Sequence, residues 1–412
     1  MGGGEALPGF PHPNPVDSYW QLPPHRIANH RTTESLPSTV FDYVIIGSGV
    51  SGAAVAHKLL TRDPSLSILM LEARTAASAA SGRNGGHCRP GRWLAFKKYA
   101  ENYGEDEALR LEALEEGNVR DIADFVKTYN VDCDFRTVET SDTFTKQESW
   151  DKILDLVHFR QELYSRRPET GEPPLRNVLH GEDAQKTLGM DKLVGAVTYQ
   201  AHTQNPYLLV CKMLELSLEK GLNLQTNTLA TKIFQHGSNW HVQTDRGVVQ
   251  GQKVVLATNS YTNAIHPGLA DTGFLTPSRS QVTAIRPGSK ITGNPSLIKR
   301  SCGLNDLGYG DYFMAREAGL RGEGDILYGG GNAVDTVRGI IDDSEVNPKI
   351  AEYLQHAAYD FFGAENWGKE GDVVMDWVGI TSYTPDSFPI VGESPDQKDL
   401  WMSVGMNGHG SK

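Results

Sequence analysis

Residues 42–72, DYVIIGSGVSGAAVAHKLLTRDPSLSILMLE, constrain this chain more than any other stretch. A short apolar run, Tyr43, Val44, Ile45 and Ile46, has the composition of a strand buried on both faces. It turns at Gly47-Ser48-Gly49-Val50-Ser51-Gly52 into a helical pattern carried by Ala53, Ala54, Ala56, Leu59 and Leu60. A second apolar run, residues 68–71, follows the Pro64 break and ends in Glu72, 20 residues beyond Gly52. A glycine-rich turn alone is a weak signal and also serves as a plain structural turn. Strand before, helix after and an acid at this distance make it a dinucleotide-binding βαβ unit. Gly47 makes the tight turn, Gly49 lets backbone approach a pyrophosphate, and Gly52 lets helix and strand pack closely. The helix N-terminus then attracts the anion, and Glu72 is placed to accept the hydroxyls of an adenosine ribose.

The rest of the composition limits what surrounds that unit. A chain of 412 residues can bury a large core and is expected to form two lobes. A net charge of -12 and a pI near 5.6 supply no basic field for nucleic acid or an anionic membrane. Cys88, Cys133, Cys211 and Cys302 are scattered without a C-x-x-C pair, which suits reduced thiols better than disulfides or a zinc site, so no metal is expected. No run of 18 apolar residues occurs, and the first residues lack signal-peptide blocks. Met1-Gly2 opens like a myristoylation signal, but Ala6 stands where Ser or Thr is needed, and the Gly-Ser-Lys end stops one residue short of a peroxisomal tripeptide. A cytoplasmic protein is expected.

Residues 1–39 carry seven of the 21 prolines and read as an extended arm, with Tyr19-Trp20 either pinning it to the globule or serving as a partner motif. Residues 75–93, TAASAASGRNGGHCRPGRW, combine small residues with Arg83, Arg89 and Arg92. Backbone there can pass close to a large anion, the bland alternative being a flexible loop. Residues 105–129 show helical spacing at Leu109, Ala113, Leu114, Val119, Ile122, Ala123, Phe125 and Val126, with acids between them read as a solvated face. Further helices are expected at 150–164, at 205–221 behind an Asn205-Pro206 cap, and at 347–362. Short strands at 222–225, 229–235, 240–244 and 248–256 read as a β-meander ending in a buried strand, closed by Ala257, Thr258 and Asn259. Alternation at 281–285, 312–316 and 325–328 reads as an antiparallel sheet flooring a second lobe.

The ordered set of motifs is more specific than any one of them. The unit at 42–72, SGRNGGHCRPG at 81–91, VVLATNSYT at 254–262, ILYGGG at 326–331, WVGITSYTPDSFPIVG at 377–392 and GMNGHG at 405–410 resemble the D-amino-acid-oxidase-like FAD oxidoreductases. The chain looks most like the branch of bacterial γ-glutamylputrescine oxidase and related fungal amine oxidases, over roughly residues 16–410. The fold this resemblance implies is α/β, α+β overall: a Rossmann-like FAD-binding domain with a β-meander, plus an antiparallel-sheet substrate domain. Residues 40–100, 200–265 and 380–412 would form the FAD domain, and 101–199 with 266–379 the substrate domain.

Carried over from the family, Gly47, Ser48, Gly49, Val50, Ser51 and Gly52 would hold the pyrophosphate, and Glu72 and Ala73 the ribose, with Arg74 beside the adenine. Ser81, Gly82, Arg83, Asn84, Gly85, Gly86 and His87 would follow the cofactor toward its ring, and Ala230, Thr258 and Asn259 would approach it with backbone. Gly405, Asn407, Gly408, His409 and Gly410 would lie under the flavin, their amides facing the edge that becomes negative on reduction. Tyr312 and Arg316 would position substrate, although sheet packing and an ion pair explain them as well; Lys290 falls near an oxygen-activating lysine of some relatives, or is an exposed loop lysine. The implied reaction is hydride transfer from the carbon beside a neutral amine or amino-acid nitrogen to FAD, with oxygen as acceptor and peroxide as product. A non-oxygen acceptor is the alternative. Gly379 stands where some relatives carry a flavin-linked cysteine, so noncovalent FAD is expected, with a histidyl link at His87 left open. Relatives continue past Gly-His-Gly into a helix capping the flavin, which this sequence lacks as it stands; a truncated paralogue with weak or no catalysis is the further alternative. Gly49→Val is expected to abolish flavin binding, checked by loss of the visible flavin absorbance from the purified protein; full flavin occupancy in the variant would refute the cofactor assignment.

Overall fold

The computed structural model describes residues 7, 9–266, 268–292, 300–306, 308, 310–368 and 371–408. Two sheets organise it. In the first, β1 (Val40–Ile46) lies between β2 (Ile68–Leu71) and the Gly247–Leu256 strand, all three parallel. Asn223–Gln225 extends the sheet beyond β2, and Leu400–Val404 with Ile390–Glu393 extends the other side. The central strands are buried apolar runs, as a sheet covered on both faces demands. The meander Ala230–His236 and Asn239–Thr244 folds antiparallel onto Gly247–Leu256.

Helix α1 (Val50–Arg62) starts at the glycine turn and packs beside the Pro206–Glu219 helix. Its approach to the sheet is extreme at one point, because a Cβ built on Gly52 would sit 2.0 Å from the Gly47 carbonyl oxygen. Gly47 itself holds a φ of +106°, and a Cβ there would meet the Ala257 carbonyl oxygen at 2.6 Å.

The second sheet runs Asp372–Tyr383, Thr276–Arg286, Ile326–Gly330, Asp311–Ala315, Arg300–Leu304, Arg136–Phe144, Gly195–Thr203, His87–Cys88, with Asn177–His180 paired to Gly195–Thr203. It is antiparallel except between Arg300–Leu304 and Arg136–Phe144, which run parallel, so the all-antiparallel expectation needs that correction. This sheet also takes three pieces assigned from sequence to the first lobe: residues 87–88, 200–203 and 380–383.

Helices appear at Gln147–Arg166, Pro206–Glu219 and Pro348–Phe362. The second carries the predicted Asn cap, Asn205 accepting from Leu208 N–H, and the third is capped likewise by Asn347, which accepts from Lys349 and Ile350 N–H. Residues 96–128 form two helices, Phe96–Tyr103 and Glu105–Thr128, and the acids of the second are not all solvated. Glu112 is buried, accepting from Arg160 Nε at 2.8 Å and Tyr164 Oη at 2.7 Å, and Glu115 accepts from Arg92 N–H. Leu114, expected inward, is exposed.

The arm is part of the core, not an appendage to it. Tyr19, Trp20, Ile27 and Ala28 are buried; Tyr19 stacks on Trp377 at 5.8 Å, and Trp20 Nε1 donates to the Asn84 carbonyl at 2.7 Å. Residues 30–32 then bond to the exposed edge of Asn223–Gln225. No disulfide joins the four buried cysteines, and among the described residues no helix is long and apolar enough to cross a membrane. Gly52→Ala is expected to push α1 off β1 at a cost of about 1–3 kcal/mol, read as a lower midpoint in chemical denaturation; an unchanged midpoint would mean the contact relaxes freely.

Candidate active site

The glycine turn is tied to the end of β2 by one carboxylate. Glu72 Oε2 accepts both the backbone N–H of Ser48 at 3.0 Å and its Oγ–H at 2.6 Å, while Oε1 accepts the N–H of Arg74 at 2.9 Å. The Ser48 hydroxyl in turn accepts from Ala77 N–H at 3.0 Å, so Ser48 is buried and braces the turn instead of lining the site. Ser81 Oγ accepts from Val50 N–H at 2.8 Å at the first turn of α1.

From this corner a cavity of about 430 Å³ runs across the molecule. One end is walled by Glu72, Ala73, Arg74 and Ala230; the middle by Gly47, Gly49, Val50, Ser51 and Ser81, facing Thr258 and Asn259. Asn84, Tyr312, Asn407 and Gly408 line it as well, and Arg83 lines it close enough to Arg74 for their charges to interact. A single trough therefore joins the N-terminal glycine corner to the described end of the chain. His409 and Gly410 lie outside the described residues.

Several predicted residues stand behind this wall. Gly52 is the helix–strand contact, and Gly82 offers its carbonyl to Ser18 Oγ and Gln21 Nε2 of the arm. Gly85 lies against the Tyr312 ring, where a Cβ would come within 2.3 Å. Gly86 and Gly405 shape backbone: Gly86 N–H donates to Asn84 Oδ1, and Gly405 N–H to Asn259 Oδ1. His87 Nε2 donates to the Phe313 carbonyl at 3.1 Å, its ring 5.1 Å from that of Tyr312.

Two catalytic assignments do not fit the geometry. Arg316 follows the Asp311–Ala315 strand and is buried away from the cavity, donating to Asp134 Oδ2 at 2.7 Å and packing over Trp20 at 5.1 Å. Lys290 sits on the surface with Nζ donating to the Glu365 carbonyl at 2.8 Å. Of the three arginines at 83–92, only Arg83 lines the cavity: Arg89 pairs with buried Asp142 at 3.2 Å, and Arg92 donates to Tyr99 Oη and the Ser387 carbonyl.

Sequence reasoning missed other wall residues. Phe10 and Pro11 bring the arm over the cavity, and Tyr261, Gln281, Asn332 and Tyr383 line it as well. Tyr383 was within reach, since it directly precedes the Thr-Pro-Asp motif.

Electrostatically the wall is positive and incompletely satisfied. Arg74 Nη1 contacts Asp343 at 2.9 Å, both buried, and donates to the His12 carbonyl at 3.1 Å. Arg83 donates to the Ser78 and Val378 carbonyls with no carboxylate within salt-bridge distance among the described residues. Burial, reinforced by the charge of Arg74, pushes its guanidinium down to about 10. Arg74 Nη2, Tyr261 Oη and Ser382 Oγ are buried on this wall without a hydrogen-bond partner. Buried orphan donors beside a glycine cradle and a helix N-terminus fit a long, polar, anionic dinucleotide. Among the described residues no group of acids, histidines and cysteines could hold a metal ion.

Residues 42–412, most of the chain, match the DAO family model, described as FAD dependent oxidoreductase. The chain belongs to this family. Its members are FAD-dependent oxidoreductases. The chain is 24% identical over 401 residues to γ-glutamylputrescine oxidoreductase of Escherichia coli (strain K12), covering 96% of this chain and 85% of that one. Among solved structures, glycine oxidase from Geobacillus kaustophilus superposes with a TM-score of 0.69 at 20% identity, covering 90% and 91% of the two chains. Dithionite-reduced L-α-glycerophosphate oxidase from Mycoplasma pneumoniae, solved with FAD bound, reaches a TM-score of 0.66 at 15% identity, with 90% and 91% covered.

Within this DAO-family site, Asp343→Asn leaves Arg74 buried and uncompensated. The variant is expected to lose about 3–5 kcal/mol of stability, measured by denaturant unfolding, and Arg74→Met combined with Asp343→Leu to recover much of it. Equal loss in both would show that the charge pair is not the cause.

Proposed function

We propose that the protein oxidises a C–N bond of a small amine or amino acid, using noncovalent FAD and oxygen as acceptor, with hydrogen peroxide as product. The observation that carries this reading is the continuous trough from the dinucleotide corner to an end lined by Tyr312, Tyr383, Asn332 and Gln281, with no acid or base among these. Two relatives support it: their names, γ-glutamylputrescine oxidoreductase and glycine oxidase, designate an amine derivative and an amino acid.

FAD bound in the trough supplies the hydride acceptor. The chain's own residues then do the rest. Tyr312 is held closely, since Cβ atoms on Gly85 and Gly329 would come within 2.3 Å and 2.4 Å of its ring, and it lines the trough. Burial, then the neighbouring Tyr383 and Asp311, push the Tyr312 phenol well above its ordinary range. It therefore stays protonated at working pH and orients substrate by hydrogen bonding instead of removing a proton. The substrate must arrive as the neutral amine, whose lone pair drives hydride departure. Noncovalent attachment is supported by Gly379, which has no nucleophile, and by the engagement of His87 Nε2 with Phe313. In this reading the first sheet carries the cofactor and the second sheet the substrate. A cytoplasmic location belongs to the same proposal, supported by four cysteines outside any disulfide.

The test is anaerobic mixing of the FAD-loaded protein with amines and amino acids, followed by admission of air. Bleaching of the flavin absorbance and then peroxide are expected; bleaching without peroxide would favour another acceptor, and no bleaching with any C–N substrate would refute the reading. The bleaching rate is expected to rise with pH, its inflection moving with the pKa of each amine; an inflection fixed near 10 for every amine would instead report Arg83. Tyr312→Phe should lower that rate about tenfold, the worth of one hydrogen bond in a buried site, while flavin occupancy, read from the absorbance ratio, is retained.

A further inference from the structure

The N-terminal arm is fastened differently on the two sides of Ser18. From Ser18 onward it is bound firmly: Ser18 Oγ donates to the Gly82 carbonyl, Tyr19 Oη to Asp325, Trp20 Nε1 to the Asn84 carbonyl and Gln21 Nε2 to the Ser78 carbonyl, with Tyr19 and Trp20 buried. Residues 9–17 are half-buried or exposed, and among the described residues they make two hydrogen bonds to the rest of the protein. Arg74 Nη1 donates to the His12 carbonyl at 3.1 Å, and Val16 N–H donates to the Asp343 carbonyl at 2.9 Å. Arg74 and Asp343 are themselves paired at 2.9 Å, so the three segments close a latch.

This weakly fastened segment lies over the cavity. Phe10 and Pro11 line it together with Glu72, Arg74, Ala230 and Ile265. Phe10 packs against the apolar cluster that contains Ala230 and Ile265, and a Cβ built on Gly9 would stand 3.4 Å from the Cβ of Ala264 in the short helix Thr262–Ile265. The segment is thus attached at Arg74 through His12 and at Ala264 through Gly9, and the two residues between these attachments wall the cavity. The family match begins at residue 42, so this wall comes from sequence outside it. Arg74 links the arm to whatever the cavity holds, because Nη1 is engaged with His12 and Asp343 while Nη2 is buried without a partner. A long cofactor roofed by chain along part of its length is exchanged when the roof moves. A stretch fixed at one end and otherwise held by few contacts is the part of a fold that opens locally.

We propose that residues 9–16 form a strap over the FAD site, hinged at Asp17 and Ser18, which lifts for the cofactor to enter or leave and which Arg74 and Asp343 hold shut. The proposal rests on FAD lying in the trough and not on the amine-oxidising reading, since cofactor release is followed without substrate. The test fastens the strap with a disulfide in the double variant Gly9→Cys, Ala264→Cys. The two Cβ atoms lie close to the disulfide range of about 3.5–4.5 Å, and the four native cysteines are buried. The FAD-loaded double variant is compared oxidised and reduced, so the strain of a side chain at the Gly9 φ of +80° is common to both forms. Release of FAD, read as flavin fluorescence after dilution, is expected to be at least about tenfold slower in the oxidised form. Equal release from the two forms would overturn the proposal, even if the cross-link raised the unfolding midpoint, because a staple without a gate does only that. Failure of the disulfide to form, read by thiol titration, would overturn it as well, since the arm would then not lie at Ala264. In the absence of any cross-link, Phe10→Ala should release FAD about tenfold faster than the parent, the worth of a half-buried aromatic ring, and an unchanged rate would count against the strap. A parent protein that takes up no FAD would remove cofactor and strap together, whereas strap-controlled release from a protein that oxidises no amine would sink the reading above and leave the strap standing.

Discussion

The Glu72 carboxylate is the contact on which the cofactor corner depends. Three donors converge on it from two segments that are distant in sequence: the N–H and hydroxyl of Ser48, and the N–H of Arg74. Each hydrogen bond to a buried charge is worth more than a neutral one, and together they offset the cost of removing the carboxylate from water. They also fix where the backbone goes. The turn after β1 cannot lift away from the end of β2 while Ser48 is held, and the loop to Ala77 is secured by the same serine hydroxyl. Glu72 still faces the cavity, so one side chain both builds the corner and presents an acceptor to whatever lies in it.

From that corner the molecule is closed by segments far apart in the chain. Arg83 joins the loop at Ser78 to Val378 of the second sheet; Arg74 joins β2 to Asp343 and to the arm at His12. Tyr19 and Trp20 of the arm pack on Trp377 and Arg316, and Tyr19 Oη donates to Asp325 at 3.0 Å. These are buried polar contacts, and each leaves an unpaired group if one partner is removed. They contribute less to raw stability than apolar burial would, yet they fix the relative placement of the two sheets on which the trough depends. Arg316 belongs to this set. A position next to the site in sequence was read as a substrate ligand, whereas the chain leaves the strand at Ala315 and turns the guanidinium toward Asp134 and the arm.

How much of this was legible follows from where the information resides. The βαβ unit, the meander and the capped helices were readable because turn, cap and periodicity are local. Much of the second sheet was not. Its Arg136–Phe144 strand buries Thr140, Ser141, Asp142 and Thr143, a polar run that no apolar alternation announces. Thr140, Asp142 and Thr143 are satisfied only across the fold, Asp142 by Arg89, Trp93 Nε1 and Tyr199 Oη. Glu112 and Glu115 escaped for the same reason, since an acid on a helix reads as solvated until its arginine is seen. Among the site residues the glycines and Tyr312 could be named from motifs. Phe10 and Pro11 could not, because nothing local shows that a proline-rich arm doubles back over the trough.

The part of the trough at Tyr312 is chemically sparse, and that sparseness is coherent with its construction. Tyr312 is held in the space that two glycines leave open, on strands whose hydrogen bonds Gly85 and Gly329 do not disturb; Asp311, one residue before it, anchors the same strand through Tyr328 and Tyr353. Placing a phenol by shape in this way needs no charged partner in the trough, where Glu72 is the one carboxylate among the described lining residues. The trough's positive charge is gathered in one place, where Arg74 and Arg83 act on each other and on Tyr261. A fold arranged like this can change what lines the trough around Tyr312 while the glycine corner, the braced carboxylate and the closely held tyrosine stay as they are.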